Sequence, residues 1–201
     1  MSVHPFLLPV SLEEMDREPL RTRRLVLRPL RHSDAHALWD ILADPVERRH
    51  LGQWLSWVKW TQQLGDSETF AAGSVQEWDD RRAYRFAVTE AGDVIGMVGL
   101  EQLLFAHRQA EVGYWLRSDA CGKGLGAEAV AGVLAWAFSD LNAHKIKAAV
   151  AVGNVRSERL LLSLGFQQEG RARHAEWCED RWVDHTLFGL LRSEFGGLGD
   201  G

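Results

Sequence analysis

The stretch Glu111-Val-Gly-Tyr-Trp-Leu-Arg-Ser-Asp-Ala-Cys-Gly-Lys-Gly-Leu-Gly126 decides the reading of the fold. Its first part, Glu111–Leu116, reads as a strand with Gly113 inside it, and an interior glycine marks a bulge or a close backbone approach. Its second part, Cys121-Gly-Lys-Gly-Leu-Gly126, places three glycines within five residues. Beyond it, Val130, Val133, Leu134 and Ala137 recur at the i, i+3, i+4, i+7 spacing of one helix face, which predicts a helix over 124–139. Glycines let the backbone approach a ligand with its amides exposed. The helix N-terminus adds roughly half a positive charge from its aligned peptide dipoles. Strand, glycine loop and helix together make a seat for a phosphate or pyrophosphate.

Two common phosphate binders do not fit. A Walker A loop needs Ser or Thr after its Gly-Lys pair, and Gly124 follows Lys123 here. Gly122-x-Gly124-x-x-Ala127 satisfies a dinucleotide fingerprint, but the next strand ends at Val152-Gly153-Asn154 without the acid that would hold a ribose.

Working outward, Arg24–Leu30 alternates as a first strand. Ser33 is a fitting N-cap for a helix to Ala43, with Pro45 after its stop. Asp66 or Ser67 can cap a second helix carrying Phe70, Ser74, Val75 and Trp78. Tyr84–Thr89 and Val94–Leu103 flank the turn Glu90-Ala-Gly-Asp93 as a hairpin. Lys145–Val152 is an apolar strand, Asn154–Leu164 a helix ended by Gly165, and strands near 167–178 and 182–191 close the chain. This order predicts an α/β (α+β) layer fold around one sheet. Residues 1–20 hold three of the five prolines and read as an irregular lead-in. Residues 21–193 read as a single domain and 194–201 as a tail.

Composition sets limits. The chain has 201 residues, 46% hydrophobic and 25% charged, with a formal net charge of −5. That charge argues against a nucleic-acid partner and suits an amine-bearing one. Two cysteines form no disulfide framework, and the eight histidines fall in no metal-binding spacing. No apolar run reaches the roughly 18 residues of a membrane span, and no signal-peptide pattern opens the chain. The expectation is a cytoplasmic protein without metal, membrane or nucleic acid.

The motifs taken together resemble the GNAT superfamily of N-acetyltransferases, in which a Q/R-x-x-G-x-G/A loop binds the pyrophosphate of acetyl-CoA. The match is Cys121-x-x-Gly124-x-Gly126, with Cys121 where the family has Gln or Arg. That departure removes a side-chain contact and keeps the backbone cradle. Over about residues 20–192 the chain resembles the RimJ/RimL-like branch, the ribosomal-protein N-terminal acetyltransferases. The matching segments are Leu20–Arg28, Leu55-Ser-Trp57, Ile95–Leu100, Ala110–Leu116, Glu128-Ala129, Asn154-x-x-Ser157, Leu164-Gly-Phe166 and Trp182-Val-Asp184.

The resemblance implies a mixed, mostly antiparallel twisted sheet of six or seven strands, helices on both faces, and a splay at the cofactor strand. It implies acetyl-CoA as cosubstrate, with no metal, and a homodimer as a compatible assembly. It assigns cofactor binding to the backbone of Trp115 and Leu116, to Cys121, Gly122, Lys123, Gly124, Leu125 and Gly126, and to Asn154 and Ser157. Ser157 is also the candidate partner of the leaving thiolate. The amine must lose its charge before attack, and an α-amine titrates near 7.7–8.0 against about 10.4 for lysine, so it needs little help from a base. Glu176, 19 residues past Ser157 in His174-Ala-Glu-Trp177, resembles the branch's base. Another carboxylate (Glu101, Glu111 or Asp184) or water is the alternative.

The acceptor is a protein N-terminus or a small amine such as an antibiotic or polyamine. A non-catalytic acyl-CoA-binding module is the reading from another class. Cys121, near a helix N-terminus, is in a position that favours a reactive thiol. Nine tryptophans against two tyrosines is the unusual count. Trp39, Trp78 and Trp136 are expected to pack on helices. Trp54, Trp57 and Trp177, with Glu101 and Glu111, are the candidate acceptor residues, and Trp60 falls in the same cluster.

Overall fold

Ser11 opens the first element: its hydroxyl accepts the Glu14 N–H while the Glu14 carboxylate accepts the Ser11 N–H. This reciprocal cap starts helix α1, Leu12–Arg17, within the segment expected to be irregular. The S-x-x-E spacing carries that signal locally, and the prolines lie outside the helix. The computed structural model describes residues 10–178 and 180–197. The rest of the lead-in and residues 198–201 of the tail lie outside them.

In chain order there follow β1 (Leu20–Arg21), β2 (Leu25–Pro29), α2 (Ala35–Ala43), α3 (Pro45–Gly52), α4 (Leu64–Asp79), β3 (Tyr84–Glu90), β4 (Asp93–Leu104), β5 (Gln109–Leu116), α5 (Leu125–Ser139), β6 (Lys145–Ala151), α6 (Val155–Ser163), β7 (Gln167–Cys178) and β8 (Arg181–Leu191). Helix α3 differs from the sequence reading. Helix α2 stops at Ala43 and Pro45 follows that stop as expected, but Pro45 is also the first residue of a new helix, capped by Asp44, whose Oδ1 accepts the Val46 and Glu47 N–H groups. Proline suits that first turn because its missing N–H would have no partner there.

The eight strands form one sheet in the order β1-β2-β3-β4-β5-β6-β8-β7, two-residue β1 included. Every pairing is antiparallel except β5 with β6. Alternation along the strands feeds two cores. Phe86, Val98 and Val112 join α5 on one face, through Val130, Val133 and Leu134. Ala87, Met97 and Trp115 join Leu38, Ile41 and Leu51 of α2 and α3 on the other. Trp78 and Trp136 lie in the first core, where they meet Tyr84 and Phe86 edge to face with ring centroids 4.9–5.4 Å apart and stack on each other at 6.2 Å.

The feature that positions the site is the β5–β6 pairing. It runs only over Gln109, Ala110 and Glu111, opposite Lys145, Ile146 and Lys147. Past Glu111 the strands part, so that edge of β5 from Val112 to Leu116 has no strand partner. The splay does not come from a bulge at Gly113, which sits in register opposite Gly99. The break in the β4–β5 ladder lies instead between Glu101 and Leu104, where Gln102 takes φ +49°.

Candidate active site

The glycine loop ends where α5 begins. Gly124 is the N-cap with φ +78° and supplies no side-chain cap, so the first-turn amides of α5 have no capping acceptor from it. Gly122 has φ +77°, and a Cβ there would meet nothing within 4 Å, which leaves the loop's face open. Gly126 has a different task. A Cβ there would lie 3.1 Å from Leu160 Cδ1 and 3.6 Å from Leu116 Cδ1, so glycine lets α5 start close against α6 and the end of β5.

Arg24 ties this loop down. Its Nη1 donates to the Lys123 carbonyl at 2.9 Å, and its Nε donates to Glu128 Oε2 at 2.7 Å. Glu128 Oε1 accepts from Thr22 Oγ1 at 2.6 Å and the Arg24 N–H at 2.7 Å. Burial works against ionised Glu128, but these hydrogen bonds and the Arg24 charge outweigh it, holding its carboxyl below the usual value. On the other side Glu47 Oε2 accepts the Ser118 N–H at 2.8 Å. The cradle is therefore built of backbone, as the Cys121 departure requires.

Burial works against the reactive thiol that the place of Cys121 suggested. Its sulfur points at the Arg117 carbonyl, 3.5 Å away, and at His50 Nε2, 3.7 Å away, and burial pushes its pKa up. Thiolate chemistry is disfavoured there.

Where β5 and β6 part, a cleft of about 150 Å³ opens. Its lining includes Trp54, Trp57, Tyr114, Asn154, Ser157, Glu176 and His185. Asn154 caps α6, its Oδ1 accepting the Ser157 N–H at 3.2 Å, and this sets Ser157 at the cleft. Ser157 Oγ lies 2.7 Å from the Tyr114 hydroxyl. Burial pushes the Tyr114 phenol up to about 12, so it stays protonated.

Glu176 reaches the same cleft from β7. The Ser56 hydroxyl donates to its Oε1. His185 Nε2 lies 3.1 Å from its Oε2, in ion-pair range but without the alignment of a hydrogen bond. A second cleft of about 300 Å³ continues outward from Glu176. It shares Trp54, Ala151 and Glu176 with the first and adds Arg171, His174, Arg181 and Trp182.

The structure thus brings Ser157, Asn154, Glu176, Trp54 and Trp57 to one place. Trp115 packs in the second core with its ring centroid 6.0 Å from that of Trp57, and it does not line the cleft. Glu101 and Glu111 pair across strands at the base of the split and line neither cleft. Arg85 Nε donates to Glu101 at 3.0 Å, and burial raises the Glu111 pKa. Trp177 and Trp60 line neither cleft; Trp177 meets Trp182 edge to face.

Sequence reading missed Ser56, His185 and the Tyr114 hydroxyl. Ser56 sits inside the Leu55-Ser-Trp57 match, but nothing local ties it to a residue 120 positions on. No group of three or more His, Cys, Asp or Glu that could hold a metal occurs among the described residues. No helix among them is long and apolar enough to cross a membrane.

Residues 24–167 match the family model described as the acetyltransferase (GNAT) domain. The chain belongs to this family and is an N-acetyltransferase by that membership. It is 32% identical over 180 residues to the uncharacterized N-acetyltransferase p20 of Bacillus licheniformis, covering 90% of this chain and 99% of that protein. It is 28% identical to the [ribosomal protein uS5]-alanine N-acetyltransferase of Escherichia coli, covering 88% of this chain and 92% of that one. Mycobacterium smegmatis RimJ in complex with CoA-disulfide superposes with a TM-score of 0.80 at 26% identity, over 86% of this chain and 84% of that one. The likeness places the chain in the RimJ/RimL-like branch.

Proposed function

We propose that the chain moves the acetyl group of acetyl-CoA directly to a primary amine, the N-terminal α-amino group of a protein or peptide, with ribosomal proteins the favoured class. The observation that carries this is the cleft at the strand split, where Glu176 and Ser157 line one space. The cradle takes the pyrophosphate, and unpaired amides of the β5 edge polarise the thioester carbonyl as negative charge develops on its oxygen. Glu176, oriented by Ser56 and His185, accepts the amine's proton, and Ser157 faces the departing sulfur.

The outer cleft gives a chain attached to the amine somewhere to lie. Its Arg171 and Arg181 are matched by Asp184 and Glu176, so its charge does not choose between a peptide and a polyamine, and the preference for a peptide rests on the resemblance. A cytoplasmic setting and a homodimer belong to the same proposal and rest on the resemblance.

Mass spectrometry of a panel incubated with acetyl-CoA tests the reading. The panel holds peptides with free N-termini, the same peptides blocked but carrying lysine, spermidine and an aminoglycoside. Acetylation of the free N-termini in preference to the rest is expected. Acetylation confined to the small amines would make this a small-molecule enzyme. Tight cofactor binding with no product would leave an acyl-CoA-binding module.

A further inference from the structure

We propose that Tyr114 is a positioning residue for Ser157: its hydroxyl donates to Ser157 Oγ and thereby turns the serine proton towards the sulfur that leaves with CoA. This rests on the reading of Ser157 given above. Tyr114 lies on β5 with Val112 and Leu116, on the side of the sheet that faces α5 and α6. Its Oη is 2.7 Å from Ser157 Oγ and 3.4 Å from the Ser157 carbonyl oxygen. Both residues line the split cleft. The serine backbone is already fixed by Asn154, so the hydroxyl rotor is the freedom left to set.

A serine hydroxyl has one proton and two lone pairs. If it donated to Tyr114, it would face the cleft with lone pairs only and repel a developing thiolate. If Tyr114 donates, the serine proton is free to point into the cleft. When the amine nitrogen bonds to the thioester carbon, the C–S bond breaks and sulfur keeps the electron pair. The nitrogen's proton passes to Glu176, and the sulfur receives a hydrogen bond from Ser157. A thiol titrates near 8.5, and Tyr114 is pushed up to about 12. Passing the tyrosine proton through Ser157 to sulfur is therefore unfavourable by about three orders of magnitude. The pair acts as a chain of hydrogen bonds, not as a general acid.

The test compares the affinities of CoA and desulfo-CoA at about pH 9, where the thiolate is populated. No acceptor is needed. Ser157→Ala and Tyr114→Phe should each lower CoA affinity by about tenfold, as expected for a hydrogen bond to a charged group. Desulfo-CoA affinity should stay within about twofold. The double variant should be no worse than Ser157→Ala, because the two act through one contact.

Replacing tyrosine throughout by 3-fluorotyrosine changes only Tyr84 and Tyr114. A stronger phenol donor should raise the preference for CoA over desulfo-CoA, which keeps the question open to measurement if the phenylalanine variant folds poorly. Equal losses for both ligands in Tyr114→Phe, additive losses in the double variant, or no change on fluorination would overturn the proposal. A Ser157→Ala variant that binds CoA and desulfo-CoA as the parent does would overturn the reading of Ser157 itself. Acetylation confined to small amines, with the CoA preference intact, would overturn the acceptor reading alone.

Discussion

Asp184 Oδ1 accepts the backbone N–H of His174 at 2.8 Å, while its Oδ2 accepts from Arg171 Nε at 2.9 Å. The two bonds span an irregular stretch of β7. From Ala172 to Glu176 the strand takes four residue steps, opposite the two from His185 to Val183 on β8. His174 sits in this excursion at φ +49°, and its ring stacks on Trp182 at 5.9 Å. The displaced stretch ends at Glu176, so Asp184 sets where the candidate base points. Bulges of this kind re-aim side chains near functional sites.

Asp184→Ala should therefore slow turnover by roughly ten- to a hundredfold, because a small misplacement of a reacting group is costly. Acetyl-CoA affinity should hardly change, since the cradle is across the split. Steady-state kinetics with calorimetric titration of CoA separates the two. Asp184→Asn, which can still accept the His174 N–H, should recover part of the rate. The His174 N–H, and then Arg171, hold the Asp184 carboxyl below the usual range, more than its desolvation opposes them. A depressed folded-state value means that the brace is intact above the unfolded-state pKa and fails as pH falls through the folded one.

Glu176→Gln should lower the rate with an α-amine acceptor by about a hundredfold, the lower end expected for losing a general base. The loss should shrink as pH rises through the amine's own pKa, because a neutral amine no longer needs a base. Rate–pH profiles of the two proteins, measured with one peptide, check this.

Gly124→Ala puts a side chain at φ +78° and should cost about 1–2 kcal/mol of stability. Gly126→Val should weaken acetyl-CoA binding, since its Cβ would press on Leu160 at 3.1 Å and push α6 from the start of α5. Thermal melts with and without CoA distinguish the effects.

Glu128→Gln should lower stability at neutral pH and loosen the glycine loop. The Glu128 carboxyl lies below its ordinary 4.5 in the folded chain, so its ties to Thr22 and Arg24 contribute fully above that value and are lost as pH falls through the folded one. The stability gap between parent and variant should therefore close in acid. Denaturant titrations at a series of pH values below neutrality measure it.

Trp57→Ala should weaken acceptor binding without altering CoA binding. Trp57 lines the inner cleft and meets Trp115 at 6.0 Å, so an acceptor entering the cleft should quench parent fluorescence. Unchanged acceptor affinity in the variant would remove Trp57 from the site.

The strands, the helix over 124–139 and the helix capped by Asn154 were legible because their signals are local: alternation, helical spacing, and caps within three or four residues. Pro45 marked the stop of α2 but not the start of α3, since proline after a helix and proline opening the next look alike in sequence. Gly113 suggested a bulge that the structure lacks. The ladder breaks at Gln102 and His174 instead, where non-glycine residues take positive φ and nothing in composition warns of it. The glycine cradle could be read because it is backbone encoded by glycine. The support of Glu176 could not: Ser56 and His185 meet it, and Asp184 braces His174 before it, only through strand pairing and the packing of the segment after α3.

The central claim is direct transfer at the strand split. Intact mass spectrometry of a single-turnover mixture, quenched over time with acetyl-CoA and a free N-terminal peptide, tests it most directly. One acetyl group should leave CoA and arrive on the peptide α-amine, with none on the protein at any time. Acetyl found on Cys121 or Cys178 before it reaches the peptide, or CoA released without acetylated peptide, would contradict it.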